Sequence, residues 1–428
     1  MTAQSVVIGA GLAGLTAALR LSEHGHHVVI VARGVGATHL APATVDVFGY
    51  VGQERVDSPA TSLQRLLEGS PDHPYGHVTR QQLEAALVWF SGRVARLGYA
   101  GGLEENLLLP TAIGVAKPSA LAPRTMVGGD LRAGGRFVFV GFGGFKDFHP
   151  SLIADNLTHS RLPVEVSARA IELALPAGRL GDLSGRRLAE RFDSNHYSDW
   201  LVESLDGKLD TDERVGVPAV LGLRRAEETW QELESRLGRR VFEVPTLPPS
   251  IPGMRLFDSM TAALRAAGVR LVLGTTAAGA ATRDGDIEAV RVTNASGTVS
   301  YPAQSVVLAS GGFASGGLAV DSHGATRETV FDLPLIGVPD GGQARFAPGY
   351  FDDQPLAAAG AAVDERMRPI DSHGAPVYGN LHAAGAIIGG AVPWKEKSGT
   401  GISIATGYAA ADAIAAASAT RTVAEPVR

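Results

Sequence analysis

The segment Gly9-Ala10-Gly11-Leu12-Ala13-Gly14 constrains this chain more than any other. It follows the apolar run from Ser5 to Ile8, which reads as a buried strand. It opens a run to about His24, which reads as a helix ended by Gly25. Between a strand and a helix, the G-x-G-x-x-G spacing has a physical meaning. The first glycine makes the turn, the second lets backbone approach a pyrophosphate, and the third lets the helix pack on the strand. The free N–H groups and positive end of the helix then face the phosphates.

The next strand, His27–Ala32, departs from that pattern. Such strands usually end in an acid that holds a ribose, whereas this one ends in Ala32 and Arg33, followed by Gly34. Alanine accepts no hydrogen bond from a hydroxyl. Arg33 can meet a phosphate, or it can be an ordinary solvated strand-end charge. Three nucleotides satisfy the site: FAD with a loosely held adenosine, FMN with no second ribose, or NADP with its 2′-phosphate on Arg33. Two later segments narrow the choice. "SVVLASGGF" carries Ser310-Gly311-Gly312 and "NLHAAGAIIGG" carries Gly385; both resemble cofactor-facing segments of flavoproteins with two dinucleotide-binding domains. Gly399-Thr400-Gly401-Ile402 then opens a final helix, whose N-terminus would stabilise negative charge on a reduced flavin. A flavin is therefore expected, with NADP the lesser alternative.

The rest of the 428 residues supports an α/β fold. A Rossmann-like flavin-binding domain with a mostly parallel sheet and a β-meander is expected from residues 1–100, 245–318 and 376–428. An inserted α/β domain is expected over 101–244, and a loop-rich cap over 319–375. The stretch Pro245–Leu256 is too rich in proline for a helix interior. Asp284-Gly285 and Asn294-Ala295-Ser296-Gly297 are turn signals of the meander. A net charge of −6 speaks against nucleic acid as partner. The absence of cysteine excludes disulfides, thiolate nucleophiles and cysteine-ligated clusters within the chain. His24, His26 and His27 have no carboxylate or cysteine beside them, so no metal site is expected. No basic n-region or cleavage site precedes the first strand, and the Ala-rich tail Gly407–Ala419 reads as too short to span a bilayer. A soluble, cytoplasmic protein is the expectation.

With these motifs in place the chain resembles the B subunit of the anaerobic glycerol-3-phosphate dehydrogenases. The resemblance rests on "IGAGLAGL" (Ile8–Leu15), "ARG" (Ala32–Gly34) with His39 beyond it, "HPY" (His73–Tyr75), "PTLPPSIPGMRL", "VLASGGFASGGL" (Val307–Leu318), Arg327-Glu328, and Arg368-Pro369 before "NLHAAGAIIGG". It spans nearly the full length and is weakest between about 101 and 244. The resemblance implies a flavoprotein that works with a second flavoprotein, the family's A subunit, and with a membrane-associated Fe–S subunit, at the inner face of the membrane. The complex oxidises sn-glycerol 3-phosphate to dihydroxyacetone phosphate and passes electrons to a quinone in anaerobic respiration. The family is associated with FMN, which fits a missing second ribose, while the fold type usually holds FAD. Cysteines found near the last helix in some relatives are absent here, where Ser398 and Thr400 stand.

Alcohol oxidation also needs a base for the hydroxyl proton and cationic donors for a phosphate. His39 follows the second strand, where it could touch or even be linked to the flavin; a structural hydrogen bond explains it as well. Arg327, Arg368 and Arg255 are candidates for a small anionic substrate, against the alternative of surface ion pairs. His373 is a candidate base, and Lys395 and Lys397 precede the final helix. Two other readings stay open: a stand-alone FAD oxidoreductase of the fumarate reductase or ketosteroid dehydrogenase type, and a non-catalytic subunit with a structural nucleotide site. Ala32 counts against the first, since such enzymes usually keep the acid.

Overall fold

The computed structural model describes residues 4–176, 183–340, 343–350 and 352–424. Its organising element is a five-stranded parallel sheet assembled from both ends of the chain. The strands are β1 (Gln4–Ile8), β2 (His27–Ala32), β3 (Arg270–Leu273), β4 (Ser305–Leu308) and β5 (Leu381–Ala383), in the order β3-β2-β1-β4-β5. Val6 pairs with Val29 on one side and Val306 on the other. Both faces of the sheet are covered, which is why β1 and β4 are continuous apolar runs without alternation.

Three helices position the site: α1 (Leu12–Glu23), α2 (Ile251–Ala266) and α3 (Gly399–Ala424). α3 lies along α1, and Gly407 makes that approach possible: a Cβ there would stand 2.6 Å from the Ala13 carbonyl oxygen. Arg20 and His24 of α1 bond Asp412 of α3 at 2.7 Å each, and Trp89 packs edge-on against Tyr408. Between β3 and β4 the chain forms an antiparallel meander of Thr276–Arg283, Asp286–Asn294 and Gly297–Pro302. Its first turn has Asp284 and Gly285 both at positive φ (50° and 83°), the geometry of a tight type I′ hairpin.

A second core is built from residues 108–251 around a four-stranded parallel sheet. Its strands lie in the order Val166–Leu173, Gly135–Phe142, Glu213–Pro218, Val241–Val244. Phe137, Phe139 and Phe242 meet at its centre. Ala120 and Leu121 nevertheless pack into the first core. Beyond β4, residues 319–375 form short antiparallel pairs within otherwise irregular chain.

Two expectations need correction. The helix after the Pro-rich stretch begins inside it, at Ile251. Pro252 occupies the first turn, where a missing N–H costs nothing, and the Ser250 hydroxyl caps the Gly253 N–H at 3.1 Å. The Ala-rich tail belongs to a 26-residue helix and is not a short segment. By length and composition α3 could cross a membrane, yet half of it is buried inside the protein against α1 and its neighbours.

Candidate functional site

The glycine segments meet. Gly9 (φ +112°) lies against the end of β4: a Cβ there would collide with the Ala309 carbonyl. A Cβ on Gly14 would collide with the carbonyl of Gly9. Gly11 differs from both, since nothing lies within 4 Å of a Cβ at that position. Packing therefore explains the first and third glycines, while the second faces open space. That space lies at the head of α1, where no side chain caps the helix and Leu12 and Ala13 are buried. Gly36 crosses above, 2.8 Å from the Gly11 Cα by the same measure.

The later segments close on the same place. Gly385 (φ +76°) would set a Cβ 2.8 Å from that of Ala13, and its N–H donates to the Thr406 hydroxyl of α3 at 2.8 Å. A Cβ on Gly312 would stand 3.2 Å from the Ala386 carbonyl oxygen, and the turn at Gly311 has φ +76°. The Ser310 hydroxyl is buried without a hydrogen-bond partner. At the head of α3, Thr400 accepts the Asp46 N–H at 2.7 Å and Gly401 donates to the Asp46 carbonyl at 2.9 Å. Ile402 is buried, and a Cβ on Gly399 would stand 3.3 Å from the Pro393 Cβ.

At the end of β2, Ala32 is buried and its carbonyl accepts the Thr275 N–H. Arg33 is exposed beside Gly316, with no hydrogen bond or ion pair among the described residues, and Gly34 is exposed next to it. His39 sits in a short 3-10 turn, Gly36–Leu40, that α2 approaches closely because Gly253 has no Cβ to strike the Thr38 carbonyl. Its carbonyl accepts the Ser250 N–H at 2.7 Å, and its ring stands edge-on to Phe257 at 5.0 Å. Its Nε2 is buried without a partner. Burial pushes the imidazole below its ordinary pKa, with Asp258 opposing, so His39 is neutral at neutral pH.

The other candidates are placed differently. Arg327 is exposed on the strand Thr326–Glu328 and has no partner among the described residues. Arg368 is clasped by Asp364 at 2.8–2.9 Å, in a segment held to β5 through the Met367 carbonyl and Ala383 N–H. His373 is exposed in a turn made by Asp371, and no hydrogen bond or ion pair joins it to the glycine segments among the described residues. Arg255 is not free for an anion: it is buried, bonded to Glu243 at 2.6 and 2.9 Å and to the Gly222 carbonyl. Lys395 pairs with Asp353.

Two features escape the sequence. His382 on β5 is buried with Nδ1 unpartnered; desolvation, then the nearby Arg368, pushes its pKa down to about 4. A histidine inside an otherwise apolar strand is the available signal. Asp46 forms a largely buried pair with Lys117 at 2.5 Å, a contact between residues too far apart in sequence to be read.

The chemistry of this cradle suits a flavin nucleotide: open space over Gly11, an uncapped helix end, and unpartnered polar atoms on Ser310 and His39. The FAD binding domain family matches residues 4–402. A Halobacterium salinarum protein, named as the probable B subunit of an anaerobic glycerol-3-phosphate dehydrogenase, is 34% identical over 425 residues, covering 96% of this chain and 97% of that protein. The B subunit of the anaerobic glycerol-3-phosphate dehydrogenase of Yersinia pseudotuberculosis serotype I is 30% identical over 422 residues, with coverage of 96% and 97%. Among solved structures, 3-ketosteroid Δ1-dehydrogenase from Sterolibacterium denitrificans aligns over 97% of this chain and 100% of its own, with 13% identity and a TM-score of 0.46, too slight a likeness to bear on function. The chain belongs to the FAD-binding-domain oxidoreductases and, within them, to the B-subunit family of the anaerobic glycerol-3-phosphate dehydrogenases.

Proposed function

We propose that this chain binds FAD and serves as one component of a quinone-linked glycerol-3-phosphate dehydrogenase. The observation that carries the reading is the void over Gly11, framed by backbone from widely separated segments. Gly9, Gly11 and Gly14 with Leu12 and Ala13 would hold the pyrophosphate at the head of α1. Arg33-Gly34, Ser310–Gly312, Gly385 and Gly399–Ile402 complete the cradle. FAD is favoured over FMN because the matching family is described by FAD and the match runs almost end to end.

Bound flavin supplies the hydride acceptor that alcohol oxidation requires. The hydroxyl proton falls to the protein. His39 suits this role, being neutral and desolvated, with a buried ring nitrogen that has nothing bonded to it. Arg327, exposed and unpaired, is available for the substrate phosphate. Arg368 is already occupied by Asp364 and is assigned to shaping the site beside His382, while His373 is left out of it. The names of the relatives support assembly with further subunits, among them a second flavoprotein and a membrane-associated Fe–S protein.

Denaturing release of the cofactor followed by mass measurement tests the first part, and a mass of FMN would refute FAD. Anaerobic addition of glycerol 3-phosphate to the isolated yellow chain tests the second. Bleaching supports oxidation within this chain. Bleaching by dithionite alone would instead assign it a relay role.

A further inference from the structure

The His73-Pro74-Tyr75 motif takes no part in the proposed chemistry, yet it lies against the head of α3. Tyr75 is buried; its hydroxyl donates to the Val47 carbonyl at 2.9 Å and stands 3.5 Å from that of Ser398. Gly401 has room for no side chain because the Tyr75 hydroxyl and Val47 fill the space. His73 is fully buried. Its Nδ1 accepts the Tyr75 N–H, so Nε2 carries the proton and donates to Glu396 at 3.2 Å. Glu396 also accepts the Val392 N–H and the Ser398 hydroxyl, each at 2.7 Å. Burial pushes this carboxyl up, but these bonds hold it below its ordinary value, so it is an anion in a fixed place.

Asp46 clamps the same turn from the other side. Its N–H and carbonyl bond Thr400 and Gly401, while its carboxylate is held by Lys117, Ser119 and Thr44. Thr406 and Gly407 of α3 lie directly on Gly385 and Ala13. The first turn of α3 therefore stands about one turn, ~5 Å, further along the axis, beside the cradle. Among the described residues nothing occupies the N–H groups of Gly399 and Thr400.

We propose that Tyr75 is a positioning residue which, through Val47, Asp46 and Gly401, fixes the first turn of α3 and thereby sets how readily the bound flavin accepts electrons. The inference rests on the flavin site proposed above. Reduction places negative charge on the ring, and a helix end stabilises it only when its N–H groups are held in line. Tyr75→Phe keeps the ring and removes the hydroxyl that ties the turn.

The test is an anaerobic reductive titration of the full-length holoprotein against a reference dye. Tyr75→Phe is expected to keep its flavin while the reduced-to-oxidised ratio, at the poise that half-reduces wild type, falls about two- to fivefold. Tyr301→Phe, in the meander, is the control and should titrate as wild type. Should Tyr75→Phe fail to fold, Thr400→Val cuts the Asp46 tie and is expected to shift the same way. A flavin-loaded variant that titrates with wild type would overturn the inference while leaving the flavin reading intact. A colourless wild-type chain would overturn both.

Discussion

Gly11 and Gly14 differ by one turn of helix, yet their substitution has opposite consequences. Gly11→Val meets no protein atom, so unfolding stability should stay within about 1 kcal/mol of wild type while flavin content is lost. Gly14→Ala drives a methyl into the Gly9 carbonyl and should cost about 1–3 kcal/mol. Urea melts paired with absorbance at the flavin bands separate the two outcomes. At the same scale, His39→Gln should retain the flavin and slow substrate bleaching by about 10²–10⁴, the usual worth of a general base. A variant that bleaches at the wild-type rate would release His39 from that role. The glycines are legible in sequence because their reason is local backbone geometry. The meaning of Arg255 is not, because Glu243, which neutralises it, lies on a strand of another sheet.

Elements carry their own tests. Arg255 fastens α2 to the strand Val241–Val244, and Glu243 also accepts the Leu221 N–H. Arg255→Ala should destabilise the protein by about 3–5 kcal/mol, since it leaves a buried carboxylate unpaired. Adding Glu243→Leu should recover much of that loss, which a two-by-two set of urea melts would reveal. A fully additive double variant would mean the pair does not act as a unit. The start of α2 shows why element boundaries resist reading: a proline forbids the middle of a helix but suits its first turn, and only the Ser250 cap decides between them. The strand–turn–helix at the N-terminus and the Asp284-Gly285 hairpin are legible because sequence spacing alone fixes them.

For the whole molecule, acid is the sensitive direction. Burial leads the causes that hold His26, His39, His77 and His382 below the ordinary histidine value. Each is a base that the unfolded chain protonates first. Their contribution to stability is therefore present above about pH 6.5 and is lost as pH falls toward the folded values. His382, at about 4, carries the largest share, on the order of 3 kcal/mol before relaxation of its surroundings is allowed for. Glu328, buried and raised, runs the other way and offsets part of the loss. Melting temperature should fall steadily from pH 6.5 to 4.5, and His382→Phe should flatten the curve. An unchanged slope in that variant would mean His382 is not buried as a neutral ring.

The parallel sheet joins the first strands of the chain to its last, and α3 follows even those. On a translating ribosome the opening Rossmann unit emerges early but has only half of its cofactor's enclosure. The 108–251 core can condense meanwhile as a separate body. Capture of the nucleotide must then await completion of nearly the whole polypeptide, so a product halted shortly before Gly399 would be largely shaped and still colourless.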